Sequence, residues 1–144
     1  MKTNELHINF PALSENEALA RLCASAFATQ LNPTIEEIAD IRTAVSEAVT
    51  NAVIHGYNSR PLPVYMDLYL CDNKIKIVIR DTGKGIKDVE EAMQPFYTTV
   101  ACDERSGMGF SVMEAFMDEL SVSSQEGIGT TVTMIKEINR EISE

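Results

Sequence analysis

The run Lys74-Ile75-Lys76-Ile77-Val78-Ile79-Arg80 alternates charged and β-branched residues with a period of two, the pattern of a half-buried strand. It leads directly into Asp81-Thr82-Gly83-Lys84-Gly85-Ile86. A strand that ends in a carboxylate and two glycines one residue apart brings main chain close to something. The glycines permit positive φ and leave no side chain in the way of a flat or phosphate-bearing ligand. On this fragment alone, a plain Gly-rich turn after a strand is the better description.

Two flanking stretches bear on the choice. Upstream, Thr34-Ile35-Glu36-Glu37 has the form of a capping box and opens a helix expected to run to about His55, with Gly56 as its stop. Its apolar stripe is Ile38, Ile41, Val45, Ala48, Val49 and Ala52. Glu47 and Asn51, four residues apart, project from one neighbouring face, and His55 continues the row. An acid and an amide so placed supply oxygen ligands for a hard cation and a base for a nearby hydroxyl. The same spacing is also commonplace on a solvated helix face, and a histidine at a helix end is commonly a cap. Downstream, Arg105-Ser106-Gly107-Met108-Gly109-Phe110 runs into an amphipathic helix expected from Phe110 to about Asp118. Free N–H groups at a helix start, with glycines beside them and an arginine near, suit a phosphate.

The remaining segments complete one domain over residues 1–144, a length that supports a real core. Leu6, Ile8 and Phe10 alternate as an opening strand. Ser14 and Glu17 form a second capping-box candidate for a helix to about Gln30. Within Ala18 to Leu31 its sole charge is Arg21, so this helix is expected to be mostly buried, in the core or against another chain. Arg21 then reads either as a snorkelling surface residue or as the mark of a partner-facing edge. Strands are expected at Val64 to Leu70, Leu120 to Ser124 and Thr130 to Ile135, with a tight hairpin at Cys71-Asp72-Asn73, a short helical piece from Asp88 to Gln94 and an aperiodic loop from Pro95 to Glu104. The net charge of −10 opposes direct nucleic-acid binding, and no apolar run reaches the roughly 18 residues of a membrane span. Cys23, Cys71 and Cys102 are odd in number and lack metal-ligand spacing, as expected of reduced thiols in a cytoplasmic protein.

Glu47-Ala48-Val49-Thr50-Asn51-Ala52, Asp81-Thr82-Gly83-Lys84-Gly85 and Arg105-Ser106-Gly107-Met108-Gly109-Phe110, in that order, resemble the three boxes of the GHKL ATPases, the superfamily of gyrase and the histidine kinases. Gly129-Thr130 resembles its last short motif. Over the whole chain, and most closely at 46–58 and 104–110, the sequence resembles the GHKL anti-sigma factors with serine kinase activity that control a sporulation sigma factor of the sigma-F type.

The resemblance implies an α/β two-layer sandwich, with a mixed, mainly antiparallel sheet covered on one face by helices. It implies ATP and Mg2+ as ligands. Asn51 would hold the metal, Glu47 would take the proton of the attacking hydroxyl, and Asp81 would accept from the adenine amino group. Gly83 and Gly85 would admit the nucleotide. Arg105, Ser106 and the N–H groups of Gly107, Met108, Gly109 and Phe110 would hold phosphates, with Thr99 in the lid and Thr130 among the nucleotide-binding residues. The lid stretch Val100-Ala101-Cys102-Asp103 lacks the lysine expected after the Thr98-Thr99 pair, and Cys102 reads as a neutral lid residue or a redox-sensitive thiol. The implied partners are a sigma factor, a STAS-type anti-anti-sigma protein bearing the acceptor serine, and a second copy of the chain. The first strand and helix, with Arg21, are the expected partner-facing surface. A stress-response paralogue, a nucleotide-gated binding module without useful phosphotransfer, and a detached histidine-kinase domain are the rival readings.

Overall fold

The computed structural model describes residues 3–57, 60–93 and 109–139, with main chain alone at 55 and 56. Five strands, β1 (Thr3–Pro11), β2 (Pro63–Cys71), β3 (Lys74–Asp81), β4 (Glu119–Gln125) and β5 (Gly129–Glu137), form one sheet in the order β1-β2-β3-β5-β4. The mixed, mainly antiparallel sheet expected from the resemblance is antiparallel in all four pairings. Among the described residues four α-helices accompany it: α1 (Glu15–Ala28), α2 (Ile35–Asn51), α3 (Val89–Ala92) and α4 (Gly109–Phe116). α2 packs between α1 and α4, and these three lie over β1 and β2, β3, and β4 respectively or in part.

Strand alternation sends one side of every strand to the helices. Two apolar rows cross the sheet in register: Leu6, Leu68, Ile77, Met134 and Leu120, then Ile8, Met66, Ile79, Val132 and Val122. One step further the row changes character, becoming Asp81, Thr130 and Ser124 across β3, β5 and β4. Asp81 follows Ile75, Ile77 and Ile79 at period two, so the strand delivers its carboxylate to the buried face as surely as it delivers the isoleucines.

The capping box at Thr34 forms as expected. The Glu37 N–H donates to Thr34 Oγ1 at 3.1 Å, and the Thr34 N–H donates to Glu37 Oε1 at 2.8 Å. Glu37 Oε2 also accepts from the Asn139 N–H at 2.8 Å, which ties the end of β5 to the start of α2. The box expected at Ser14 does not form. Ser14 is itself helical (φ −54°, ψ −36°) and makes no capping bond, because the chain already turns at Leu13, whose carbonyl accepts from Asn16. An extended cap residue is what the motif requires. Glu17 turns instead to α2, accepting from Ser46 Oγ, and lies 3.6 Å from Arg21. α1 places Ala20, Ala24, Phe27 and Ala28 in the core and leaves Leu19 48% and Leu22 62% exposed.

The helical chain of α2 ends at Gly56 as expected, with its last turn, Ala52–Gly56, wound as a π-helix. The Cys71–Lys74 hairpin closes through Asp72 at φ 56°. α3 is shorter than expected and is capped by Asp88, which accepts from the Glu91 N–H at 3.1 Å. Among the described residues no helix is long and apolar enough to cross a membrane.

The far face of the sheet carries a polar cluster. His7 Nδ1 donates to Asp67 Oδ1 at 2.6 Å across β1 and β2, and Arg80 stacks 4.2 Å above Tyr65. The Asp67 carboxylate raises the His7 pKa above the ordinary value. Folding stability linked to His7 is therefore full below the ordinary histidine value and lost as pH rises through the folded one. An NMR titration should find His7 titrating above an unstructured histidine, and Asp67→Asn should bring it down. An unchanged titration in the variant would remove Asp67 as the cause.

Candidate functional site

The polar end of the sheet is the floor of the site. Asp81 is 7% exposed, and its carboxylate accepts from the Gly83 N–H (2.9 Å to Oδ1) and from the Thr130 N–H. Burial raises its pKa, while the two N–H donors oppose the rise. A carboxylate has about four acceptor positions, so two donors from the protein leave room for a ligand donor. Thr130 is also buried and shares a 2.8 Å hydrogen bond with Ser124 Oγ, which accepts from the Ile86 N–H at 2.7 Å. Ser124 thereby fastens the far side of the Gly83–Gly85 turn to β4.

Two glycines let the main chain close this end. At Gly85 (φ 74°) a Cβ would fall 2.2 Å from the carbonyl oxygen of Gln125, and at Gly129 (φ 148°) it would fall 2.2 Å from that of Asp81. Both contacts are with backbone, which cannot swing aside.

The wall opposite is built by α2 and α4. Asn51 ends α2 one turn after Glu47, at the point where the winding changes to π. Such a change often marks a functional position. Gly109, the first described residue of α4, lies against the Asn51 amide: a Cβ there would come within 2.9 Å of Nδ2. The Asn51 side chain and α4 thus meet at Gly109. Phe110, the next residue, is buried and anchors that helix start.

Of the residues expected at the site, the fold gathers Asp81, Gly83, Gly85 and Thr130 at the floor, and Asn51 with Gly109 and Phe110 at the wall. Glu47 and Arg21 line a neighbouring groove between α1 and α2. Thr99, Cys102, Arg105, Ser106, Gly107 and Met108 lie outside the described residues.

Three contributors escaped sequence reasoning. Tyr57 is fully buried, donates to the Pro63 carbonyl (2.6 Å) and accepts from the Thr82 N–H (2.6 Å), joining the end of α2 to the turn after β3. Its position directly after Gly56 was the only available signal. Ser124 belongs to the alternation of β4 but needed the register with Thr130 to acquire meaning. Arg42 joins Arg21, Ala39, Thr43, Ser46 and Glu47 in a groove of about 290 Å³.

Comparison with known proteins agrees with this fold. Residues 10–136 match the family model described as the histidine kinase-like ATPase domain. The chain is 55% identical over 136 residues to the anti-sigma F factor of Thermoanaerobacter sp. (strain X514), covering 94% of this chain and 95% of that protein. It is 49% identical over 140 residues to the anti-sigma F factor of Clostridium botulinum (strain Eklund 17B / Type B), covering 96% and 98%. Among solved structures, the RsbU and RsbW domains of Rv1364c from Mycobacterium tuberculosis share the fold, with a TM-score of 0.67 and 22% identity over 94% of this chain and 32% of that one. SiaB in the SiaB-SiaC complex from Pseudomonas aeruginosa gives 0.62 and 12%, over 90% and 88%. The chain belongs to the anti-sigma F factor family, within the histidine kinase-like ATPases.

Proposed function

We propose that the protein is an ATP-dependent anti-sigma factor that holds a sigma-F-type sigma factor and phosphorylates a STAS-type anti-anti-sigma partner on serine. The observation that carries this reading is a buried Asp81 carboxylate with spare acceptor capacity at the end of β3, on a fold that also sets the Asn51 amide against Gly109 of α4. One end of that arrangement suits a base carrying an exocyclic amine, and the other suits phosphate with a divalent ion. The residues present fit ATP: Asp81 retains acceptor capacity beside the Gly83–Gly85 turn, and the Asn51 amide lies against Gly109 of α4.

Among the described residues no group of three or more His, Cys, Asp or Glu could hold a metal. Asn51 would therefore share Mg2+ with the phosphates, the usual coordination of this ion. Bound magnesium nucleotide supplies the γ-phosphoryl group and neutralises charge on its oxygens. Glu47 takes the serine proton as the serine oxygen bonds to the γ-phosphorus. The bond to the bridging oxygen breaks, and ADP leaves. Arg105, Ser106, Gly107 and Met108 keep their expected phosphate roles, and Thr99 its place in the lid.

The partner surface is assigned to β1 and α1. Leu19 and Leu22 are exposed on α1, and Arg21 stands on the same helix toward α2. This surface would serve the sigma factor and the second copy, in the cytoplasm where sigma factors work.

The test mixes the protein with labelled ATP, Mg2+ and the anti-anti-sigma protein encoded beside it. Acid-stable phosphate on serine, reduced at least about 100-fold by Glu47→Ala, is the expected result. ATP bound without phosphate transfer would instead favour a nucleotide-gated sigma-binding module. Acid-labile phosphate would favour a histidine kinase.

A further inference from the structure

We infer that Lys136 is a positioning residue for the nucleotide phosphates: its ammonium fixes how far α4 lies along α2, and so where the Gly109 end of α4 stands. This rests on the nucleotide-binding reading above and adds to that site a residue at the opposite end of β5. The helix-facing row of β5 runs Thr130, Val132, Met134, Lys136 at period two. Thr130 belongs to the floor of the site, so the row that begins there ends on a cation. The Lys136 side chain is 11% exposed, too enclosed for an ordinary solvated lysine. Its Nζ donates to the Phe116 carbonyl at 2.8 Å and lies 3.3 Å from Asp40 Oδ2. One ammonium thus joins β5, the last residue of α4 and the second turn of α2.

This contact and the one at Asn51 hold α4 at both ends. Gly109 lies against the amide of the last α2 residue, and Phe116 is tied through Lys136 to Asp40 near the first. α4 therefore runs antiparallel to α2. Asp40 and Asn51 are eleven residues apart, about 16 Å along the α2 axis, whereas Gly109 to Phe116 covers about 10 Å. The Lys136 and Asp40 side chains fill the difference.

Between these ends the helices share the apolar core, through Phe110 and Met113 on α4 and Val45 and Ala48 on α2. Apolar burial is non-directional, so a helix of about two turns can slide along it. A cation on a helix-terminal carbonyl is directional and sets the axial position. The Asp118 N–H donates to the Ile135 carbonyl at 2.9 Å, and the Asp118 carboxylate accepts from the Glu137 N–H at 2.7 Å. These bonds hold the exit of α4 on β5, and Lys136 extends that hold to α2. A shift of α4 by about 1 Å would part Gly109 from Asn51 and misplace the phosphate end. The Asp81 floor, built on β3 and β5, would stay where it is. The loss is therefore confined to ligands that carry phosphate.

The experiment measures ATP binding by calorimetry and adenosine binding by NMR titration, both in the full chain. Lys136→Met should weaken ATP at least about tenfold and change adenosine less than about twofold. The Gly109 amide resonance should move in the same variant. Lys136→Met combined with Asp40→Asn strands no carboxylate and leaves net charge unchanged, and it should show the same split between ligands. Lys136→Arg should return ATP affinity to within about threefold of wild type. Unchanged ATP affinity in both Met variants overturns the inference and leaves the nucleotide reading standing. Equal losses for ATP and adenosine overturn it as well, making Lys136 a residue of general stability. Wild type that binds no ATP removes the nucleotide reading, and the inference with it.

Discussion

Asp81→Asn should lower ATP affinity about 10- to 100-fold while leaving the unliganded protein as stable at neutral pH as wild type, within about 1 kcal/mol. The two effects separate because the carboxylate is poorly placed for stability. Its pKa is raised, chiefly by burial. A carboxyl whose folded value lies above its unfolded one contributes stability that is full below the unfolded value and lost as pH rises through the folded one. At neutral pH the ionised group is a burden on the fold, eased by the Gly83 and Thr130 N–H donors. Asparagine removes the charge, keeps one acceptor oxygen for those donors, and turns an NH2 toward the ligand. A donor then faces the adenine amino group, and a charge-assisted contact of about 1.5–3 kcal/mol is lost. Calorimetry with ATP and urea titrations from pH 4 to 8 read both quantities. The difference in stability between wild type and variant should grow in favour of wild type toward acid. Loss of binding accompanied by collapse of the unliganded fold would make Asp81 a structural residue.

That carboxylate was legible in the sequence because it obeys a strictly local rule. Period two along β3 carries Asp81 to the same side as Ile75, Ile77 and Ile79, and the glycines after it mark an approach. The stagger of Glu47 and Asn51 and the capping box at Thr34 were legible for the same reason, since each depends on residues within one helical turn. Failures arose where a distant group competes. Glu17 has the right spacing to cap with Ser14, yet Ser46 on α2 captures its carboxylate, and nothing within α1 announces Ser46. Tyr57 spans Pro63 and Thr82, which only the folded sheet brings to its hydroxyl. The insertion of β5 between β3 and β4 is likewise a matter of long-range pairing, invisible in strand periodicity. Arg42 carries no local signal, because its groove exists only once α1 has packed on α2.

The β4–β5 hairpin yields the most severe expected loss of stability, and a neighbouring residue provides its control. Gly127 and Gly129 both have positive φ, 84° and 148°. A Cβ on Gly127 meets nothing within 4 Å, so Gly127→Ala carries only the backbone penalty of about 1–2 kcal/mol. A Cβ on Gly129 falls 2.2 Å from the Asp81 carbonyl oxygen and 2.9 Å from the Thr82 Cα. Neither atom can move without parting β3 from β5, where Asp81 pairs with Thr130. Gly129→Ala should therefore destabilise by about 3 kcal/mol or more, strain and lost pairing together. It should also weaken ATP binding in whatever fraction remains folded, because the Thr130 N–H leaves the Asp81 carboxylate as the strands separate. Urea denaturation of the two variants side by side measures the contrast. Equal losses would mean that backbone conformation alone accounts for both glycines, and that the close approach of β5 to the Asp81 carbonyl has no bearing on the site. A larger loss at Gly129, with ATP affinity falling alongside it, would tie the hairpin to the nucleotide floor through that single main-chain contact.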